Sequence, residues 1–237
     1  MNPVFCAIDT PDLIAAGQLT EAVRDAVGGI KLGLEFFMAH GAAGYRDIAA
    51  RGLPIFLDLK LHDIPNTVAG AVASLLPLRP AFMTIHASGG AAMMRAAADA
   101  AKLNTAEAAA TAGDARPKLL AVTVLTSLDA HDLAAVGQEA DTARQVVRLA
   151  QLARDNGMDG VICSPEEVVV LRAAMPPDFI LMVPGIRPAW AAANDQKRVM
   201  TPREACDAGA NFLVIGRPIT KAENPAAAAR RIAGELA

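Results

Sequence analysis

Short apolar segments alternate with helix-forming segments along the whole chain. The predicted strands are Val4–Ile8, Gly29–Gly33, Pro54–Leu59, Ala81–His86, Leu119–Leu125, Gly160–Cys163, Phe179–Val183 and Asn211–Ile215. A helical stretch follows each strand, and this alternation predicts parallel strands joined by helical crossovers. Eight such units in 237 residues predict a (β/α)₈ barrel of the TIM type, and residues 1–237 are predicted to form a single domain.

The composition suits such a barrel and narrows the classes of partner. Hydrophobic residues make up 53% of the chain and aromatic residues only 4%, so we expect a core of Ala, Val, Leu and Ile. The formal net charge is -3 and no long basic run occurs, which argues against nucleic acid as a partner.

The cysteines and the apolar runs predict where the protein resides. Cys6, Cys163 and Cys206 lie far apart and form no CxxC pair, which predicts reduced thiols. The first residues lack a basic signal-type segment, and no apolar run is long enough to cross a bilayer. We therefore expect a cytoplasmic protein that does not interact with membranes.

Several predicted strands end on a polar residue. These residues are Asp9, Lys31, Asp58 with Lys60, His86, Thr126 with Ser127, Arg187 and Arg217. Each one alone could be a solvated loop residue. In a (β/α)₈ barrel, however, the C-terminal ends of all strands surround one mouth, where active sites lie. The pattern therefore predicts a polar site at that mouth.

The richest stretch reads Ile-Phe-Leu-Asp-Leu-Lys-Leu-His-Asp-Ile-Pro-Asn-Thr, residues 55–67. Strand alternation places Asp58 and Lys60 on the same face. Asp63 is predicted to be the N-cap of the next helix, with Pro65 in the first turn and Thr67 on the same helical face as Asp63. A lysine between two acids stays protonated, which describes a fixed proton donor. The alternative is a salt-bridge cluster at a strand end.

The loops after strands seven and eight are predicted to bind phosphate. Barrels commonly bind phosphate there through backbone N–H groups. Gly216 allows close approach of the backbone, and the Arg217 guanidinium can contact two phosphate oxygens. Gln196, in the long loop after strand seven, could add a donor. The alternative for Arg217 is a surface arginine in a turn.

The histidines give no metal signature. His86 suits the site by position, but we interpret it as a packing residue. His40 and His131 fall on predicted helices, and strand parity points His62 away from Lys60. No group of His and acidic residues has metal-ligand spacing, so we predict that no metal is bound.

The stretch DLKLHDIPNTV resembles the signature of the orotidine 5'-phosphate decarboxylases, in particular those of bacteria. The resemblance implies a cofactor-free conversion of orotidine 5'-phosphate (OMP) to UMP in pyrimidine biosynthesis, with Lys60 protonating C6. It also implies a homodimer in which Asp63 and Thr67 reach the partner's barrel.

The resemblance further assigns roles at matching positions. It implies a reactive array of Asp58, Lys60, Asp63 and Thr67, with Asp9 and Lys31 near the ribose and the acidic network. It implies pyrimidine contacts from Thr126 and Ser127, and phosphate contacts from Arg187, Gln196, Gly216 and Arg217. Leu128, where many bacterial members have Met, is a mild departure.

Two other functions fit part of the pattern. A sugar-phosphate decarboxylase or aldolase of the same barrel group would share Asp-x-Lys-x-x-Asp, but such relatives hold Mg²⁺ partly by an acid at the end of strand two. That place is occupied here by Lys31, which would repel the metal. A phosphate-ligand sensor without turnover is the non-enzymatic alternative, but an intact array of costly buried charges argues against it.

Overall fold

The computed structural model describes residues 2–108, 116–191 and 200–236, with residues 103–108 described in backbone only. Within these ranges, parallel strands form a closed barrel in sequence order, and the first strand pairs with the eighth. The strands are β1 (Val4–Ala7), β2 (Gly29–Gly33), β3 (Ile55–Leu61), β4 (Phe82–His86), β5 (Lys118–Val122), β6 (Gly160–Ile162), β7 (Ile180–Pro184) and β8 (Phe212–Ile215). The predicted (β/α)₈ barrel is confirmed.

Helices follow the strands in the described part of the chain. They are α1 (Leu13–Val23), α2 (Leu34–Ala49), α3 (Pro65–Leu75), α4 (Gly90–Ala108), α5 (Ala130–Ala135), α6 (Thr142–Asp155), α7 (Val168–Ala174), α8 (Pro202–Asp207), α9 (Arg217–Thr220) and α10 (Pro225–Leu236). Among the described residues, no helix combines the length and apolarity needed to cross a bilayer. The single domain over residues 1–237 stays a prediction.

The main core consists largely of Ala, Val, Leu and Ile, as expected, but phenylalanines form much of a second, smaller cluster inside the barrel. Phe5, Phe56 and Phe82 lie in one buried cluster, with Phe212 packed against it. The ring centroids of Phe5 and Phe82 are 5.4 Å apart in an edge-to-face arrangement. A Cβ on Gly29 would lie 2.3 Å from the Phe5 ring, so only glycine leaves room for it. Leu120, Met182 and Val214 complete this inner cluster, and the larger aliphatic cluster packs between strands and helices.

Side-chain parity divides each strand between these two layers. Phe56 and Asp58 alternate with Leu57, and Phe82 alternates with Met83 before Thr84. Because the phenylalanines face the barrel axis, the polar residues two positions later face it as well, one layer nearer the mouth. The phenylalanine layer therefore forms a packed floor beneath the polar residues.

An ion cluster joins β5 and β6 at the opposite end of the barrel. The Arg116 guanidinium bonds both carboxylate oxygens of Asp159, at 2.7 and 2.8 Å, and the Leu119 N–H bonds the same carboxylate at 2.9 Å. Burial raises the pKa of the Asp159 carboxyl, but the bonds from Arg116 and Leu119 outweigh it and hold the pKa below its ordinary value. This cluster fixes the N-terminal ends of two adjacent strands.

The three cysteines form no disulfide. Cys6 and Cys163 are buried, and Cys206 is half-buried. Burial raises the pKa of the Cys6 thiol to about 12, so it stays protonated at neutral pH. These properties agree with the predicted inert thiols.

Candidate active site

Four charged side chains of alternating sign lie together at the C-terminal ends of β1, β2 and β3. Lys31 Nζ lies 2.7 Å from Asp9 Oδ1 and 3.9 Å from Asp58 Oδ2. Lys60 Nζ lies 2.7 Å from Asp58 Oδ2. The side chains of Lys31 and Asp58 are only 11% and 12% exposed, whereas those of Lys60 and Asp9 are 29% and 58% exposed. The array thus runs from a buried centre to an open edge.

Strand register brings the charged array together. Ala7 lies opposite Lys31 across β1 and β2, and Gly33 lies opposite Asp58 across β2 and β3. A Cβ on Gly33 would lie 3.0 Å from Lys31 Nζ and 3.5 Å from Asp9 Oδ1. The glycine therefore leaves the space in which the Lys31 ammonium meets the Asp9 carboxylate.

The backbone of Lys60 is in the left-handed region, with φ 52°. Pairing between β3 and β4 is interrupted at this point, because Leu57 lies opposite Met83 and the next pair is Leu61 with Ile85. A side chain in this conformation costs free energy, and such residues concentrate at functional sites. The prediction that Asp58 and Lys60 meet on one face agrees with the structure, although the strand is not regular between them.

Thr84 of β4 is part of the site and was missed from the sequence. Its hydroxyl donates to Asp58 Oδ1 at 2.9 Å and accepts from the Lys60 backbone N–H at 2.9 Å. Thr84 lies inside β4, whereas the polar residues that mark the barrel mouth in the sequence lie at strand ends. The available signal was a single hydroxyl in an apolar strand, in phase with His86.

Asp63 is not the N-cap of α3, contrary to the prediction. The N-cap is Ile64, with φ -60° and ψ 153°, and Asp63 Oδ1 instead accepts from the Ile64 N–H at 2.7 Å. Pro65 is the cause, because a residue that precedes proline is driven into an extended conformation and the helix then starts at the proline. Asp63 and Thr67 are both exposed.

The predicted pyrimidine-binding pair lies outside the strand. β5 ends at Val122 and not at Leu125, so Thr126 and Ser127 lie in an exposed turn. They are at the same end of the barrel as the charged array, because they follow the C-terminal end of β5. Their contact with a pyrimidine stays a prediction.

The predicted phosphate residues follow β7 and β8. Arg187 is buried, and its backbone N–H donates to the Met200 carbonyl at 3.1 Å. Gly216 is the N-cap of α9, a short helix absent from the sequence prediction, and Arg217 is its exposed first residue. A Cβ on Gly216 would lie 4.0 Å from Asp9 Oδ2, so this turn adjoins the charged array. Gln196 lies outside the described residues.

The histidines differ in their surroundings. The His86 ring packs against the His62 ring, with centroids 5.2 Å apart. Burial, followed by the nearby charges of His62 and Lys60, lowers the pKa of His86, so the neutral form is favoured. His40 lies in α2 and His131 in α5, as predicted. Within the described ranges, no three His, Cys, Asp or Glu residues are grouped as metal ligands would be.

The array can hold an anion and deliver a proton. The Lys60 ammonium carries acidic protons at a partly open position, and Asp58 fixes its location through a short ion pair. The Lys31 ammonium offsets the negative charge of Asp9 and Asp58. This arrangement suits a reaction in which negative charge develops on a substrate carbon next to Lys60.

Comparison with known proteins identifies close relatives. Residues 2–232 match the model of the "Orotidine 5'-phosphate decarboxylase / HUMPS family". The orotidine 5'-phosphate decarboxylase of Rhodospirillum rubrum is 56% identical over 99% of this chain and 94% of its own length. The orotidine 5'-phosphate decarboxylase of Paramagnetospirillum magneticum is 55% identical over 100% of this chain and 99% of its own length. The crystal structure of the Lactobacillus acidophilus enzyme superposes with a TM-score of 0.86 at 38% identity, covering 100% of this chain and 99% of that one.

Proposed function

This chain belongs to the orotidine 5'-phosphate decarboxylase / HUMPS family, and we propose that it decarboxylates OMP to UMP, without a cofactor or metal, as a step of de novo pyrimidine biosynthesis. The observation that carries the proposal is the ion pair of Lys60 and Asp58 at the barrel mouth, with Nζ and Oδ2 2.7 Å apart. It puts an ammonium proton donor and a carboxylate at one point.

The chemistry requires strong stabilisation of a carbanion. The bond between C6 and the carboxylate breaks, CO₂ leaves, and the electron pair remains on C6 of the pyrimidine. Slow reactions of this kind demand on the order of 20 kcal/mol of barrier lowering. The Lys60 ammonium stabilises the developing charge and then transfers a proton to C6, and solvent afterwards returns a proton to Lys60.

Asp58 and Lys31 support Lys60. Asp58 orients the Lys60 ammonium through the 2.7 Å contact and lies beside the departing carboxylate. Lys31, between Asp9 and Asp58, limits the electrostatic repulsion between the two carboxylates. The charges of Asp58, Lys31 and Lys60 are therefore already in position before the substrate binds. Little rearrangement of these side chains is needed during the reaction.

The phosphate of OMP is assigned to the turns after β7 and β8. Arg217 and Arg187 supply guanidinium groups, and Gly216 lets the backbone approach the anion. The proximity of the Gly216 turn to Asp9 supports this assignment, because one bound molecule could then contact both regions. Binding energy from the distant phosphate can be used to position the reacting ring.

The protein is proposed to act as a cytoplasmic homodimer with shared sites. Residues 62–67 are exposed in succession and include Ile64, which is 66% exposed. An exposed apolar residue flanked by Asp63 and Thr67 is suited to an interface between identical chains. The free cysteines support a reducing compartment.

The first test is decarboxylation of OMP by purified protein in the presence of EDTA. We expect the absorbance to change as OMP becomes UMP, and the rate to be unaffected by chelation. Loss of activity on chelation, restored by Mg²⁺, would instead place the protein with the metal-dependent sugar-phosphate enzymes. Binding of OMP without any turnover would support the phosphate-ligand sensor.

A further inference from the structure

Thr84 lies opposite an irregular part of β3. Between the paired positions Leu57–Met83 and Leu61–Ile85, β3 contains three residues and β4 contains only Thr84. Such a bulge leaves backbone groups on the longer strand without their regular ladder partners. The Lys60 N–H is one such group, and the Thr84 hydroxyl accepts its hydrogen bond at 2.9 Å.

The same hydroxyl also sets the orientation of the Asp58 carboxylate. It donates to Oδ1 at 2.9 Å, whereas both lysine ammonium groups face Oδ2, Lys60 at 2.7 Å and Lys31 at 3.9 Å. The terminal torsion of an aspartate is soft, so the carboxylate alone would not keep this division of its oxygens. Thr84 is fully buried, which makes both hydrogen bonds strong and their loss costly.

We propose that Thr84 is a positioning residue for the decarboxylation: one hydroxyl holds the Asp58 carboxylate and the left-handed backbone of Lys60 in the geometry that delivers the proton. This inference rests on the proposed function. Thr84 acts through Asp58 and Lys60 and needs no contact with the substrate. Its removal should therefore affect the chemical step more than substrate binding.

The decisive variants are Thr84→Val, which keeps the shape and removes the hydroxyl, and Thr84→Ser, which keeps the hydroxyl. We expect Thr84→Val to lower kcat by roughly 10- to 100-fold with a much smaller change in KM, because small displacements of catalytic groups cost this much. Thr84→Ser should stay close to the wild type. Hydrogen exchange of the Lys60 amide should accelerate in Thr84→Val only.

The matched control is Thr20→Val in α1. Thr20 is equally buried, and its hydroxyl donates to the Ala16 carbonyl of its own helix at 2.8 Å. It undergoes the same hydroxyl-to-methyl change and should retain the wild-type kcat. If Thr84→Val does not fold, Thr84→Ala and Thr84→Ser provide a second pair that differs only by the hydroxyl.

Three results would overturn the inference. The first is a kcat of Thr84→Val within about twofold of the wild type, since a displaced catalytic group should cost far more. The second is an equal loss of kcat in Thr84→Ser and Thr84→Val. The third is an equal loss of kcat in Thr20→Val and Thr84→Val. A wild type that does not convert OMP, or an active Lys60→Ala variant, would overturn the proposed function itself. An active wild type with an inactive Lys60→Ala and an unimpaired Thr84→Val rejects only the role of Thr84.

Discussion

Lys60 Nζ and Asp58 Oδ2 are 2.7 Å apart, and the two residues are joined by a single intervening residue on a strand that becomes left-handed at Lys60. In a regular strand, the Cα atoms of residues two positions apart are separated by about 6.6 Å. The ammonium therefore reaches back along the strand to the carboxylate. The left-handed backbone of Lys60 and its ion pair with Asp58 therefore form one structural unit.

Lys60→Ala should fold and lose at least about 100-fold in kcat, because removal of a proton donor typically costs this much. Steady-state decarboxylation of OMP measures the loss. Lys102→Ala, at an exposed lysine of α4, is the matched control and should be fully active. Residual activity of Lys60→Ala above about a tenth of the wild type would contradict the assignment of Lys60 as the donor, since a general acid contributes far more.

Lys60→Gly should be more stable than Lys60→Ala by about 1 kcal/mol, although both variants lack the ammonium. Position 60 has φ 52°, where a Cβ is unfavourable and glycine is not. Urea unfolding followed by fluorescence of Trp190, the single tryptophan, measures the difference.

The control for this comparison is Ala50→Gly. Ala50 has φ -59° at the end of α2, so glycine should destabilise there and the sign should reverse. Equal stabilities of Lys60→Ala and Lys60→Gly would mean that the backbone at position 60 is not strained in solution.

The sequence was sufficient for the barrel and for the identity of the charged residues. Apolar strands followed by polar ends carry this information directly, because register in a closed parallel barrel brings the ends together. The sequence was not sufficient for the bulge at Lys60. Strand alternation assumes a regular ladder, and one left-handed residue breaks it without any glycine to mark the place.

The structure differs from the sequence prediction at two more places, the starts of α3 and α9, and local effects along the chain explain both. Pro65 shifted the start of α3 from the predicted Asp63 cap to Ile64, a consequence of the restriction on the residue before proline. The four residues of α9 are too few to show a helical period, so the sequence predicted a phosphate contact at Arg217 but no helix there. Thr84 was missed because its role depends on a partner strand.

Arg217→Ala should lower kcat/KM for OMP. It should leave kcat/KM for orotidine, which lacks the phosphate, almost unchanged. Loss of charge-assisted hydrogen bonds to the phosphate should cost roughly 10- to 100-fold in kcat/KM for OMP. Kinetics with both substrates separate this role from a general defect. Arg154→Ala, at an exposed arginine of α6, is the control. Equal losses on both substrates would show that Arg217 acts elsewhere.

Asp159→Asn should lower the free energy of unfolding by about 2 kcal/mol at neutral pH, because it removes the negative charge and one of the two oxygens that accept from Arg116. The folded-state pKa of Asp159 is below its ordinary value, so its contribution is present above the unfolded pKa and is lost as the pH falls through the folded pKa. The difference from the wild type should therefore shrink in acid. Urea unfolding at several pH values measures this.

Asp155→Asn is the matched control for Asp159→Asn. Asp155 pairs with Arg154 at 2.8 Å but is 60% exposed, so its loss should change stability by less than about 0.5 kcal/mol. A pH-independent difference for Asp159→Asn would show that the charge of Asp159 does not stabilise the N-terminal ends of β5 and β6.

Mixing two inactive variants tests whether the active site is shared between subunits. If Asp63 acts in the partner's barrel, a heterodimer of Lys60→Ala and Asp63→Ala has one site with both defects and one site with neither. Equal mixing with free exchange should then restore activity at about one quarter of all sites. The position of Asp63 at the exposed start of α3 makes this arrangement accessible.

The result depends on proof that heterodimers form, which native mass spectrometry of the mixture supplies after one variant is isotope-labelled. Each variant alone, taken through the same exchange, gives the background rate. If every site is built from one chain, each site in the heterodimer retains one defect and the rate stays at background. Heterodimers without activity would therefore reject the shared site and leave the decarboxylase assignment intact, because the ion pair of Lys60 and Asp58 lies within a single chain.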